Sequence, residues 1–247
     1  MPPAKKLIGL LVLLFLTQIP ASAESIRILY GQDNPSSLKL KANEYFKRLV
    51  EQRSNNRLVL KLTTLSPQPG DPKILDQLES GALQMAAPGI AELYDFNAEL
   101  QIFELPFLFR DEKHLHRVMD GEVGRKLLSR SSRRGLVALA FWDEGFKQFT
   151  SNRPLKQPEQ LAQLSLNVLG SKVLSEQLQL MGAVPRTIST EQLFQALQNG
   201  ILEGEENTFV GIEDQKLHLV QSDLLASKHG YRGYVLLANA RFWSQVP

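Results

Sequence analysis

Two hydrophobic periods alternate along this chain, and that alternation constrains its fold more than any other feature. Ser25 to Tyr30 alternates as a half-buried strand does, before Gly31, Asp33, Asn34 and Pro35 mark a loop. Leu38, Ala42, Tyr45, Phe46, Leu49 and Val50 then fall on one face of a helix, and Leu58, Leu60 and Leu62 return to the two-residue period of a strand. Strand, helix, strand is the opening of an α/β domain.

The pattern continues. Asp71-Pro72 places proline at a first helical position, and Gly81 closes that helix. Gln84 to Ala87 reads as the next strand, and Leu105-Pro106-Phe107-Leu108-Phe109 as an apolar plug beneath a loop. Asp111 caps a further helix, and Leu136 to Trp142 is a buried strand by its continuous apolar run. From Gly145 the texture changes. Phe146 to Thr150 is strand-like, Asn152 to Pro158 is a proline-bearing connection, Ser165 to Val168 is a short strand, and Ser171 to Met181 is a helix with Leu174, Leu178 and Met181 inward. Domain crossings are expected near Glu144 to Thr150 and near Gly230 to Tyr234, before a strand at Val235 to Asn239.

The stretch Leu180 to Phe209 carries the densest set of signals. Ser189 and Gln192 have capping-box spacing; Leu193, Ala196 and Leu197 form an apolar face; Asn199-Gly200 stops the helix. A short strand then brings Glu205, Glu206 and Asn207 to one place. Paired carboxylates can hydrolyse a glycoside, but along a strand Glu203 and Glu205 share a face while Glu206 points the other way. No nucleophile elbow, metal motif or phosphate-cradling glycine loop accompanies them, so a glycosidase using Glu203 or Glu205 ranks well below a binding role. Asn207 offers a donor and an acceptor together, which suits a small polar ligand.

Composition sets the address. Lys5 and Lys6 precede an apolar run from Leu7 to Leu16, and Ala21-Ser22-Ala23 offers a signal-peptidase site, so residues 1–23 read as a signal peptide cleaved after Ala23. Its removal lowers Lys+Arg from 28 to 26 against 26 Asp+Glu, a balance that gives a nucleic-acid partner no basic surface. The absence of cysteine suits an exported protein of a Gram-negative periplasm that needs no disulfides. His114 and His116, two residues apart, face different sides of a helix, and His218 and His229 have no ligand set around them, so neither a metal nor a cofactor is expected. Arg130, Arg133 and Arg134 read as a solvated turn, with docking to an acidic partner as the alternative.

Several stretches, in order over nearly the whole mature chain, resemble the solute-binding proteins of TRAP transporters, the DctP-like receptors. They include Leu-Glu-Ser-Gly-Ala-Leu-Gln-Met at 78–85, Glu-Leu-Pro-Phe-Leu-Phe at 104–109, Phe-Trp-Asp-Glu-Gly-Phe-Lys at 141–147 and Thr-Ser-Asn-Arg-Pro at 150–154. Met-Gly-Ala-Val-Pro, Ala-Leu-Gln-Asn-Gly and Gly-Glu-Glu-Asn follow, between Met181 and Asn207.

The resemblance implies an α/β two-lobe periplasmic binding protein clamshell. Residues 24–146 and 235–247 would form lobe I and residues 147–234 lobe II, closing on a solute that is handed to the permease subunits in the membrane. It also implies binding residues at Lys147, Asn167 and Asn207. Asn207 matches the family's binding asparagine. Lys147 and Asn167 stand where the family carries arginines that clamp a carboxylate. The solute is therefore either an acid held by Lys147 with Asn167 and Asn207 assisting, or a less charged polyol, amide or sugar-like compound, and the lost guanidinium tilts the reading toward the second. The chain stops at Pro247, where the family continues into C-terminal helices. That implies a fold lacking those helices, lost cover over Phe242 and Trp243, and, as the alternative function, a truncated non-transporting remnant or sensory binding subunit.

Overall fold

The computed structural model describes residues 25–33, 36–65, 73–168 and 171–247. The expected signal peptide and the Asp71-Pro72 cap lie outside the described residues. In chain order the elements are β1 (Ile26–Asp33), α1 (Ser37–Arg53), β2 (Leu58–Leu65), α2 (Ile74–Ser80) and β3 (Met85–Ala86), then two 3-10 turns (Ile90–Leu93, Ala98–Glu104), α3 (Glu112–Met119), α4 (Glu122–Ser131) and β4 (Leu136–Ser151). A third 3-10 turn (Pro158–Leu161) precedes β5 (Ser165–Asn167), α5 (Lys172–Leu180), β6 (Val184–Arg186), α6 (Thr190–Gln198), β7 (Gly204–Thr208) and α7 (Phe209–Asp214), and a fourth (Leu217–Leu219) precedes β8 (Asp223–Asn239) and α8 (Ala240–Trp243).

The strands form one mixed sheet in the order β2-β1-β3-β8-β4-β7-β5-β6. At one end β1 runs parallel to β2 and β3; at the other β5 runs parallel to β6 and β7. Between them β4 and β8 run antiparallel along almost their whole length. Alternation along β8 explains how one strand serves two cores. Val235 and Leu237 enter a cluster with Leu93, Phe103 and Leu115, while Tyr234, Leu236 and Ala238 enter another with Tyr30, Leu60 and Phe242. Two further clusters, around Leu166 with Leu178 and around Leu197 with Leu202, pack beside the β5–β7 end.

The strands expected at Leu136–Trp142 and Phe146–Thr150 are one 16-residue strand. Register shifts at Ala138/Ala140, Asp143/Gly145 and Lys147/Phe149 absorb the extra residues as bulges instead of a loop. Gly145 sits in the second of these at φ +122°, a conformation that L side chains rarely adopt.

Helix α1 packs on a different face from the one its apolar spacing predicts. Leu38 and Tyr45 are 40% and 55% exposed, whereas Lys39 and Asn43 are buried. The reason is polar complementarity: the Tyr30 hydroxyl donates to Asn43 Oδ1 at 3.0 Å, and the Lys39 ammonium lies 4.1 Å from the Tyr234 ring centroid. Phe46 and Val50, one and two turns further on, complete that face.

The apolar plug divides similarly. Phe109 is core, but Leu105 and Phe107 are 46% and 65% exposed, with Phe107 at φ +55° and its N–H donating to the His229 carbonyl. The capping box at Ser189 does not form: the Ser189 hydroxyl makes no bond to the helix backbone and pairs with Glu191. The stop at Asn199-Gly200 is present, with Gly200 at φ +69°. Phe242, expected to lose its cover, is buried beside Tyr30 and Leu236.

Strand β7 carries Glu205 into the interior, where it is 1% exposed and its carboxylate oxygens find no hydrogen-bond donor. Burial pushes its carboxyl up to about 8; the nearby Asn207 amide tempers the rise. The folded chain therefore holds a proton that the unfolded chain releases above about pH 4.5, and the associated stability is lost as pH climbs from there to about 8. The slope reaches at most about 1.4 kcal/mol per pH unit. Glu205→Gln, permanently neutral, removes that slope. In thermal melts, its stability relative to wild type should rise between about pH 5 and about pH 8; a pH-independent difference would show that Glu205 carries no raised pKa.

Candidate functional site

A cavity of about 500 Å³ lies where the two ends of the sheet face each other. The segment Gly89–Asp95 with Phe103 and Glu104 forms one wall. Val168, Ser171 and Lys172 form the opposite one, and the floor is Lys147, Glu206, Asn207, Tyr231 and Arg232 from β4, β7 and β8. Ser171 Oγ, at the cap of α5, donates to Glu104 Oε2 at 2.8 Å and joins the two walls.

Lys147 is brought in by β4, facing Gly230 and Thr208 in its neighbours. Its ammonium donates to Glu206 Oε1 at 2.6 Å, and Glu206 Oε2 lies 2.8 Å from His229 Nε2. His229 Nδ1 is 2.7 Å from Ser227 Oγ, and the imidazole stacks on Phe149 with centroids 3.8 Å apart. Burial by itself would raise the Glu206 carboxyl, but the Lys147 charge and the His229 contact outweigh it and hold it well below the ordinary carboxylate range. The Lys147 charge is thus already matched within the protein.

Asn207 has a fixed orientation. Its Oδ1 accepts from the Thr208 N–H at 2.9 Å and from Arg232 Nη1 at 3.3 Å, and its buried Nδ2 lies toward the Glu205 carboxyl without closing a short hydrogen bond. A Cβ at Gly211 would come within 2.0 Å of that Oδ1, so α7 can pass beside Asn207 because residue 211 lacks a side chain.

Asn167 ends β5 and is 2% exposed; its Oδ1 accepts from the Ile188 N–H at 3.0 Å and its Nδ2 is unpartnered. Val168, its neighbour, lines the cavity, and Asn167 itself does not. Of the three residues singled out from the sequence, the fold brings Lys147 and Asn207 onto one cavity floor and sets Asn167 behind the wall.

Sequence reasoning missed Arg232 and the roles of Glu206 and Glu104. The available signal for Arg232 was a lone arginine in a strand within the Gly230–Tyr234 crossing, between Tyr231 and Gly233. Glu203 and Glu205, on which a glycosidase would depend, lie outside the cavity: Glu203 is exposed, with Oε2 accepting from the Ser165 N–H at 3.0 Å, and Glu205 is sealed in the interior. Among the described residues no group of three or more His, Asp or Glu is placed to hold a metal. His116 pairs with Asp143 at 3.1 Å, and Arg130 and Arg134 pair with Glu99 and Glu79 at 2.6 and 3.0 Å, so these surface groups are engaged locally. No helix among the described residues is long and apolar enough to cross a membrane.

Three relatives show what this chain is similar to. The C4-dicarboxylate-binding periplasmic protein DctP of Rhodobacter capsulatus is 35% identical over 243 residues, 98% of this chain and 73% of that protein. A TRAP periplasmic solute-binding protein of Sulfurospirillum deleyianum, crystallised with bound succinate, is 34% identical with a TM-score of 0.77, covering 91% of this chain and 73% of that one. Another from Pseudomonas aeruginosa, with bound L-malate, is 29% identical with a TM-score of 0.80, covering 90% and 78%. The chain spans 60–62% of the length of three further dicarboxylate-binding relatives. The sequence signature of the bacterial extracellular solute-binding proteins, family 7, matches residues 31–247. With that match across nearly all of the described sheet, and a cavity set between its two ends, the chain belongs to the DctP family, whose members are receptors for solutes and not enzymes.

Proposed function

We propose that this chain is the extracytoplasmic receptor of a TRAP-type importer, that it captures a small organic acid, and that it passes the acid to the permease subunits in the membrane. The observation that carries the reading is the cavity floor, where the Arg232 guanidinium, 39% exposed, is held beside the Asn207 amide oxygen at 3.3 Å. A ligand rich in acceptors satisfies its remaining N–H groups. The organic acids held by the similar solved proteins support the acid over a neutral sugar. Residues 24–146 with 235–247 and residues 147–234 act as the two lobes, with β4 and β8 as the crossing strands. In this reading the Ser171–Glu104 bond and the Asp214 carboxylate accepting from the Ser37 N–H at 2.7 Å belong to the closed form.

Asn207 borders the ligand beside Arg232, Lys147 lines the floor as half of its ion pair with Glu206, and Asn167 fixes the Ile188 segment behind the wall. The Lys-rich, apolar N-terminus acts as a signal peptide and is removed after Ala23. In secreted protein, intact-mass measurement should find Glu24 as the first residue; a chain retaining Leu7–Leu16 would refute the cleavage.

Calorimetric titration of unfolded and refolded protein, stripped of any carried ligand, tests the main claim. Succinate or L-malate should bind and D-glucose should not; binding of the sugar alone would overturn the acid reading in favour of a neutral solute. Asn207→Ala releases the Arg232 guanidinium from its amide support and should weaken acid binding about 10-fold. Gly211→Ala should produce the same loss by displacing the Asn207 amide. Unchanged affinity in both variants would place the ligand elsewhere.

A further inference from the structure

We infer that Arg232 is the carboxylate anchor of this receptor: its guanidinium, held from β8 beside Asn207, takes the place that a positive charge at Asn167 or a free ammonium at Lys147 would otherwise fill. The inference deepens the organic-acid reading and rests on it.

Among the described residues, three cationic side chains line the cavity: Lys147, Lys172 and Arg232. They are not equivalent. Lys147 is committed to Glu206 at 2.6 Å, in a pair whose side chains are only 15% and 8% exposed. An incoming carboxylate there meets a neutralised ion pair and the repulsion of Glu206. Lys172 is the first residue of α5, on the wall, where its ammonium supplies a point charge without a fork of donors.

Arg232 differs in both respects. Its side chain is 39% exposed, Nη1 donates to the Asn207 amide oxygen at a long 3.3 Å, and Nε lies 3.7 Å from Glu144 Oε1. Five N–H donors are present and these two loose contacts leave most of them without a protein acceptor. The Asn207 contact has a second effect. With Oδ1 occupied by Arg232 and by the Thr208 N–H, the amide oxygen steadies the guanidinium, while Nδ2 lies toward the buried Glu205 carboxyl. The remaining guanidinium N–H groups form a fork of adjacent donors. A planar, doubly accepting anion matches such a fork, and a hydroxyl-rich neutral solute, which must also donate, matches it poorly.

The placement also couples recognition to the crossing strands. Arg232 pairs with Gly145 across the β4–β8 ladder, at the bulge where β4 passes from one end of the sheet to the other. A ligand held there touches the segment that both walls share.

The test compares refolded wild type, Arg232→Gln and Arg232→Lys by calorimetry against succinate and its uncharged analogue succinamide. Wild type should prefer succinate strongly. Arg232→Gln should bind succinate roughly 10- to 100-fold more weakly and lose the preference over succinamide, because the charge-assisted contact is gone. Arg232→Lys, which keeps the charge and the fold but not the fork, should recover part of that loss. Variants that bind succinate as wild type does, with the preference intact, would overturn the anchor and leave the receptor reading standing. A wild type that binds no organic acid would overturn the receptor reading for acids and the anchor with it.

Discussion

The structure turns on a buried carboxylate. Glu144 sits where β4 crosses between the two ends of the sheet, with its side chain 1% exposed. It accepts from the Tyr234 hydroxyl on β8, from Thr208 Oγ1 at 2.9 Å and from Ser36 Oγ at 3.3 Å. Ser36 and Thr208 are themselves helix caps: Ser36 Oγ accepts from the Lys39 N–H and Thr208 Oγ1 from the Gly211 N–H. One acid therefore orients the starts of α1 and α7, which come from opposite ends of the sheet, and ties both to the β4–β8 ladder. A carboxylate this deep is tolerable because donors surround it; removing one hydroxyl would forfeit a charge-assisted bond, a cost of about 1.5–3 kcal/mol.

From that node the cavity follows by geometry. Thr208 is fixed by Glu144, so Asn207 immediately before it is fixed as well, with its amide pressed against Gly211. Arg232 is drawn toward the same acid through Nε and lies along the floor beside Asn207. On the same floor Lys147 pairs with Glu206, which also meets His229, forming a second, closed charge cluster. The floor thus contains one short, closed ion pair and one half-exposed guanidinium whose acid partner, Glu144, lies 3.7 Å away. That asymmetry gives the site its polarity.

Much of this was legible in the sequence, and the failures share a cause. Period and punctuation located β1, β2, α2 with its Gly81 stop, the Asp111 cap and the Asn199-Gly200 stop, because each depends on residues within a few positions of one another. The ordered motifs marked the family. What the sequence concealed depends on distant partners. Lys39 and Asn43 lie on the inner face of α1 only because Tyr234 and Tyr30 meet them from β8 and β1. Leu105 and Phe107 are exposed although their composition is that of a core. Lys147 was visible as a cation, but its neutralisation by Glu206, 59 residues away, was not.

The same reasoning explains why a neutral residue at position 167 is compatible with an acid-binding site. Asn167 is 2% exposed and already holds the Ile188 N–H, so its place calls for a structural hydrogen bond more than for charge. A guanidinium there would have to leave the wall to reach the cavity, bringing a desolvation cost that only a bound anion could offset. Arg232 has a smaller cost to meet, since its side chain remains 39% exposed and its nearest acid lies 3.7 Å away. A cation on a half-open crossing strand therefore needs less compensation in the empty protein than one at a buried strand end would.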